Sequence, residues 1–386
     1  MAAQIKDVIQ DFETVINDAR NKKARVDYAS NEAFWLLSYG KALHPKRIRL
    51  KVTSITEQTD TIKTIRFSAA DGYLPPFTAG QYLVVFVEID GVRTGRPISI
   101  SSAPSERAYY ELTIKRKEDG FVSDYFLDKV KVGDEFDAAS PKGNFYYNPI
   151  IHGKDLVFIA GGSGITPFLS IIRDITNKGK NDVNIHLFYG CRNQNDVPYL
   201  EELQGYADRY ENIKLDLVLS EPTEGWDGLT GFISADLIQK AGVDVDHSTF
   251  YLCGPKGLYD FCTAELERLN VPKRRLRHEV MGAPAKIWED PAWPEEVAGD
   301  AVFTIEYGDK KISAKACEPL LVAFERAGIH VEFSCRSGEC SLCRVKLLDG
   351  KVFQTSTALV RRADCANGYI HSCVSYPISD LKIMEV

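Results

Sequence analysis

Cys335, Cys340, Cys343 and Cys373 are spaced C-x4-C-x2-C with a long gap to the fourth, in EFSCRSGECSLCRVKLLDG…IHSCVSYP. Two irons and two sulfides need four thiolates, three on one tight loop and a fourth that can arrive from a distant strand. This is the ligand spacing of a plant-type [2Fe–2S] centre. Gly338 lets the loop backbone turn inward and aim N–H groups at the sulfurs. A zinc site and buried free thiols are the competing readings. Zinc motifs usually pair two short C-x2-C units, and here only Cys340 and Cys343 form one. A Rieske centre needs two histidine ligands, and His371 precedes Cys373 in the wrong order for that motif. Such a cluster takes and gives one electron at a time, so the rest of the chain must supply a source and an outlet.

Other segments offer chemistry that is weaker when each is taken alone. Arg96-Pro97-Ile98-Ser99 closes a predicted strand, and an arginine fork there can grip a phosphate. Gly120-Phe121-Val122-Ser123 leads into a predicted helix, a natural phosphate site. AGGSGITP (160–167) follows a strand and opens a helix, with Pro167 suited to its first turn. It is not a GxGxxG fingerprint, but backbone N–H groups at such a start can hold a pyrophosphate. Cys253-Gly254-Pro255 ends another strand, where a lone cysteine is ordinarily core.

These residues need elements to position them. Residues 1–46 read as a helical extension: Ile5, Val8, Ile9, Phe12, Val15, Ile16 and Ala19 share one face, and Ser30 would cap a second helix over 31–42. From 47 to 150 the period is two, with short strands and Gly, Pro and Asp turns, which predicts an antiparallel β-barrel. From 151 to 282 apolar strands alternate with helices, which predicts a parallel α/β domain. Residues 283–299, rich in Pro, Ala, Trp and Glu, read as a linker, a semi-ordered strap that lets the last domain approach and then swing. Residues 300–386 surround the cysteine loop with short strands.

Taken in order, the segments resemble the ferredoxin–NADP⁺ reductase superfamily. The resemblance runs through FTAGQYL (77–83), RPISISS (96–102), LTIKR (112–116), GFVS (120–123), PKGNF (141–145), GGSGITPF (161–168), YGCRNQND (189–196), YLCGP (251–255) and HEVMG (278–282). With a C-terminal β-grasp-like ferredoxin domain, it is most similar to oxygenase reductases of the phthalate dioxygenase reductase type and to the reductase of hybrid cluster protein. The resemblance implies that Arg96 binds flavin phosphate and Ser99 lies by flavin N5. Pro97 and Ile98 complete that motif, with Ile98 where tyrosine is usual. It further implies that Thr113, Ile114 and Lys115 flank the ribityl and phosphate portion. Gly120, Val122 and Ser123 would contact a pyrophosphate, hence FAD over FMN. Because the phthalate dioxygenase reductase type uses FMN, that cofactor stays open. Gly162, Gly164, Thr166, Cys253, Gly254 and Pro255 would hold NADH near its nicotinamide, and Glu279 would sit close to both rings. Ser220 and Glu221 stand where the adenosine 2′-position is read. Glu221 favours NADH, while Arg192, after a neighbouring strand, keeps NADPH open.

The net charge of −7 argues against general affinity for nucleic acid. No apolar run is long enough to span a bilayer. The acidic start is unlike a signal peptide, and nine cysteines without a framework suit a reducing compartment, so a cytoplasmic protein is expected. The expectation is an NADH-dependent flavin/iron–sulfur reductase passing single electrons to a partner metalloprotein such as an oxygenase. Two other readings compete. One is an electron-transfer subunit of a larger redox complex, against which the long Cys343–Cys373 gap argues. The other is a non-catalytic redox sensor, against which the intact Arg96, Ser99, Gly162, Thr166 and Cys253 argue.

Overall fold

The computed structural model describes Asn17 and residues 45–384, apart from 280, 281, 284, 285, 356, 357 and 359. The helices expected within 1–46, with their Ser30 cap, and Val280 and Met281 of HEVMG lie outside the described residues. The fold below is that of the unit beginning at Arg47.

Alternating burial drives the first sheet. In β1 (Ile48–Thr59) the inward Ile48, Leu50 and Val52 alternate with exposed Arg49, Lys51 and Thr53, the period of a strand with one wet face. It joins β2 (Ile62–Ala69), β3 (Tyr82–Ile89), β4 (Val92–Ser99), β5 (Tyr110–Lys115) and β6 (Glu135–Ala138) in the antiparallel order β4-β3-β6-β1-β2-β5. An Ile100–Leu112 bridge brings the edge strands β4 and β5 together. Helix α1 (Phe121–Asp128) closes one end through buried Val122, Phe126 and Leu127. The RPIS segment ends β4 as expected, but the following Ile100-Ser101-Ser102 is not strand.

The second sheet is wholly parallel. It comprises β7 (Asp155–Gly161), β8 (Asn184–Cys191), β9 (Ile213–Leu219), β10 (Leu229–Thr230), β11 (Thr249–Cys253) and β12 (Leu276–Glu279), in the order β10-β9-β8-β7-β11-β12. Covered on both faces, β7 and β11 are apolar almost throughout. Helices α2 (Thr166–Asn177), α3 (Leu200–Arg209), α4 (Ala235–Lys240) and α5 (Lys256–Arg268) supply the cover. Pro167 stands in the first turn of α2, and Phe168, Leu169, Ile171, Ile172 and Ile175 bury its inner face. The alternation is imperfect: β9 is followed by a loop and short β10 before any helix.

The third unit has a mixed sheet with α6 (Leu320–Arg326) packed against it. Its strands are β13 (Val302–Tyr307), β14 (Lys310–Lys315), β15 (Arg344–Asp349), β17 (Tyr369–His371) and β19 (Leu381–Met384), ordered β14-β13-β19-β15-β17. A separate two-stranded antiparallel sheet joins β16 (Val352–Gln354) to β18 (Ser375–Pro377), with α7 (Arg362–Ala366) and β17 between them in the chain. The stretch read as a linker is largely packed on this unit. Ile287 and Trp293 are buried against Ala316, Phe353 and Tyr376, and the Trp293 indole N–H donates to the Val297 carbonyl at 2.9 Å. Among the described residues, no helix is long and apolar enough to cross a membrane.

The three units form a continuous body. Tyr82 and Val84 of β3 pack with Ala139 and Cys335, and Tyr82 Oη lies 3.0 Å from Ser334 Oγ. Between the first two sheets, Arg173 of α2 bonds Glu202 and Glu111 at 2.7 and 2.8 Å and the Ser101 carbonyl at 2.9 Å. Tyr199 Oη lies 2.6 Å from Thr64 Oγ1. The structure therefore holds the cluster-loop unit docked on the barrel rather than extended on a free tether.

Candidate functional site

Parallel strands open their ligand crevice at their C-terminal ends, and here that edge faces β4 of the barrel. One cleft of about 1600 Å³ runs between them, larger than the roughly 300–1,000 Å³ of a pocket for one small ligand and roomy enough for two nucleotides. All the flavin and nucleotide residues named above except Glu221 line it. Glu221 stands at its rim: its N–H donates to the Arg192 carbonyl at 2.7 Å, and its carboxylate lies 3.7 Å from Arg192 Nε. The two residues that point to opposite cofactors are thus paired with each other.

At the centre, three strand ends meet. Cys253 on β11 is in register with Ala160 on β7 and with Glu279 on β12. Ser99, the last residue of β4, donates its hydroxyl to Glu279 Oε2 at 3.2 Å. Thr166 is buried beside them, its hydroxyl donating to the Ser163 carbonyl at 3.1 Å. Gly164 admits close approach of the chains: a Cβ there would lie 2.3 Å from the Cys253 carbonyl oxygen. Burial, and then the charge of Glu279, pushes the Cys253 thiol well up, so this thiol is a neutral packing and positioning group rather than a thiolate.

Burial also pushes the Glu279 carboxyl up to about 8; Ser99 pulls it down and Glu339 on the cluster loop pushes it further up. Its folded value is raised, so between the ordinary carboxylate range and pH 8 the folded chain keeps a proton that the unfolded chain releases. Stability conferred through this group is present at low pH and is lost as pH rises through that window. Glu279→Gln should remove the dependence: the melting temperature of the variant is expected to gain on the parent from pH 5 to about 8 and then level off, measured by calorimetry.

The phosphate end of the cleft is cationic. Arg96 Nη1 donates to Thr94 Oγ1 at 2.7 Å and to the Gly95 carbonyl at 2.9 Å. Desolvation, then the charge of Arg336, lowers its guanidinium to about 10, with Glu325 opposing. Lys117 is lowered by desolvation and by Arg96. Buried Arg336, half-buried Arg96 and exposed Lys117 line the cleft together; like charges gathered there call for an anion, and a flavin phosphate fits. The start of α1 fits as well: no side chain caps it, and Gly120 keeps its approach open, since a Cβ there would crowd the Lys117 carbonyl oxygen at 2.9 Å. Lys115, by contrast, is engaged by an ion pair with Asp196, and Thr113 lies in a hydroxyl cluster with Thr64 and Tyr199.

The cysteine loop fits a binuclear cluster. Its four thiols influence one another in two neighbouring pairs, Cys335 with Cys340 and Cys343 with Cys373, and the four together would hold two irons. The N–H groups of Ser337 and Cys340 donate to Cys335 Sγ, each at 3.4 Å. The loop turns through positive φ at Arg336, Gly338 and Ser341. The His371 ring ties it to α7, with Nδ1 2.7 Å from the Gly338 carbonyl and Nε2 2.9 Å from Asp364. Cys373 also lines the large cleft, so the cluster site borders the flavin site.

Sequence reasoning missed Lys117, Asp196, Arg336 and the exposed aromatic pair Phe232 and Phe261 at the cleft, and Tyr199 buried behind Thr113. Only Lys117 had an available signal, a basic residue three before the Gly120 turn.

Three families match in the same order. They are the oxidoreductase FAD-binding domain over residues 49–147, the oxidoreductase NAD-binding domain over 158–264, and the 2Fe-2S iron-sulfur cluster binding domain over 303–377. The chain is 30% identical over 335 residues to the NADH oxidoreductase HCR of Escherichia coli K12, covering 86% of this chain and 96% of that one. It is 29% identical over 349 residues to the glycine betaine monooxygenase reductase subunit of Pseudomonas aeruginosa, covering 86% and 94%. Its fold matches the solved phthalate dioxygenase reductase with a TM-score of 0.66 at 24% identity, over 88% of this chain and 98% of that one. The chain therefore belongs to the ferredoxin–NADP⁺ reductase superfamily, among the NADH-dependent oxygenase-reductase type that carries FAD and a C-terminal [2Fe–2S] ferredoxin domain.

Proposed function

We propose that the chain draws electrons from NADH and delivers them singly to a separate metalloprotein, such as an oxygenase component, that docks near the cluster loop. When bound, FAD takes a hydride and passes electrons on one at a time, a conversion that belongs to the cofactor. The observation that carries the reading is the meeting of Ser99, Cys253 and Glu279 at three strand ends, beside a cleft that also reaches Cys373.

The residue roles follow from position. Arg96 holds the flavin phosphate, with Pro97 and Ile98 along the same strand. The backbone of Gly120, Val122 and Ser123 at the start of α1 accepts a pyrophosphate, which favours FAD over FMN. Ser99, whose hydroxyl meets Glu279 Oε2, would stand by flavin N5. Gly162, Gly164 and Thr166 at the start of α2 cradle the dinucleotide, and Cys253, Gly254 and Pro255 wall the nicotinamide. Walls on both rings would hold them face to face, the arrangement that makes hydride transfer effectively intramolecular. Glu279, neutral at pH 7, keeps the contact region uncharged. Cys335, Cys340, Cys343 and Cys373 hold the cluster. A reducing cytoplasm suits the nine cysteines, all free.

Glu221 selects NADH by facing the adenosine 2′-position and by neutralising Arg192. Glu221→Arg is expected to shift the NADPH-to-NADH ratio of kcat/KM upward by about 10-fold or more. Steady-state rates with both nucleotides check it, and a parent enzyme that already prefers NADPH reverses the assignment. The oxygenase-type acceptor is tested by adding purified oxygenase components and following NADH-driven substrate turnover. Turnover with hybrid cluster protein alone would favour the narrower reading that the resemblance to the reductase of hybrid cluster protein implies.

A further inference from the structure

We propose that Arg336, carried on the cluster loop, is a phosphate-site residue of the flavin cleft, so that flavin binding and docking of the [2Fe–2S] domain are one coupled equilibrium. The inference rests on the reading of Arg96 as the flavin-phosphate residue.

Arg336 grips Glu325 of α6 in a fork, Nη1 to Oε1 at 2.7 Å and Nη2 to Oε2 at 2.9 Å. Both side chains are buried, at 8% and 7% exposure. That pair belongs to the cluster domain, but it does not end there. Arg336 Nη1 also donates to the Gly95 carbonyl at 3.1 Å and reaches Thr94 Oγ1 at 3.5 Å. The Thr94 hydroxyl in turn donates to Glu325 Oε2 at 3.0 Å. Thr94 Oγ1 and the Gly95 carbonyl are the same two acceptors that Arg96 uses. Two guanidiniums from different domains thus converge on one turn of β4.

The charges do not balance within this network. Two guanidiniums share one carboxylate, and both line the cleft together with Lys117. A buried pair with a surplus cation is costly unless an anion completes it, and planar guanidinium forks are suited to a phosphate. The backbone of Arg336 is held at φ +56, a conformation that a non-glycine residue keeps only where surrounding contacts over-determine it. A phosphate bound between Arg96 and Arg336 would tie the barrel to the cluster loop. By linkage, any factor by which docking tightens flavin binding is the factor by which flavin tightens docking.

The test uses the full-length chain, stripped of flavin with its cluster retained. FAD and riboflavin are titrated by flavin fluorescence into the parent, Arg96→Gln and Arg336→Gln. Hydrogen exchange of residues 320–345 in the parent is followed with and without FAD. The proposal predicts that Arg336→Gln weakens FAD by about 10-fold or more and leaves riboflavin, which lacks the phosphate, within twofold. It also predicts that exchange across 320–345 accelerates when FAD is removed. FAD affinity unchanged by Arg336→Gln, or equal losses for FAD and riboflavin, would overturn it. If Arg336→Gln sheds the cluster, exchange in the parent decides alone: protection indifferent to FAD overturns the coupling. A chain whose FAD affinity also ignores Arg96→Gln contradicts the underlying reading instead, so the two failures are distinguishable.

Discussion

Replacing Cys340 with Ser is expected to cut NADH-driven reduction of cytochrome c by about 100-fold or more, while reduction of ferricyanide stays within about threefold of the parent. The split follows from where each acceptor takes its electrons. Ferricyanide is small and can meet the flavin directly, so it needs only the first two domains. A protein acceptor cannot enter a cleft walled by three domains and must be served at the cluster. Cys340 lies beside Cys335, whose sulfur accepts two backbone N–H bonds, one of them from Cys340 itself. Serine offers a harder, more basic ligand, and the iron it should hold is lost or its potential falls. The cysteine lies on a loop rather than in the barrel or nucleotide core, and both assays are run with FAD added to saturation because the same loop carries Arg336. Steady-state assays with both acceptors, alongside iron and flavin analysis, make the comparison. Equal rates with both acceptors in the variant and the parent would take the cluster off the path.

The second large effect is expected at Arg96. Arg96→Ala should weaken FAD by at least about 100-fold, because each charge-assisted bond to a phosphate is worth roughly 1.5–3 kcal/mol and a fork makes more than one. The variant should purify nearly free of flavin but with its iron present, and ferricyanide and cytochrome c activities should fall together. That shared loss separates it from Cys340→Ser. The domain itself should survive, because β4 is held by eight register pairs with β3 and Arg96 contributes no core packing. Flavin content by absorbance and affinity by fluorescence titration measure the effect. Full flavin occupancy in Arg96→Ala would move the phosphate site elsewhere.

What could be read in advance was what lies close together in the chain. C-x4-C-x2-C, RPIS, GFVS and AGGSGITP each sit within one loop or one strand end, and local spacing carries their chemistry. The period-two and alternating apolar patterns likewise report local burial, which is why β1, β2, β3, β5 and the apolar strands β7, β8, β9 and β11 fall close to where they were expected, whereas β4 ends at Ser99 and lies earlier than the RPISISSAP run suggested. Contacts across domains leave no such trace. Thr94 and Glu325 are 231 residues apart, and Tyr82 and Ser334 are 252 apart. Nothing around Lys115 announces Asp196, nor Thr64 its bond to Tyr199. The strap over 283–299 was legible as proline- and tryptophan-rich, but a composition suited to a linker does not reveal that Trp293 finds a pocket between Phe353 and Tyr376. Residues 1–46 stay an expectation.

The central claim is that one chain takes a hydride from NADH and releases its electrons through the cysteine cluster. Anaerobic mixing with one equivalent of NADH, followed by rapid optical and frozen-sample spin-resonance measurements, tests it most directly. The account predicts bleaching of flavin absorbance first, then a reduced [2Fe–2S] signal that grows at the flavin's expense, with about two irons per chain. A colourless, zinc-loaded protein, or flavin that reduces fully while the cluster stays oxidised and cytochrome c is still turned over, would contradict it.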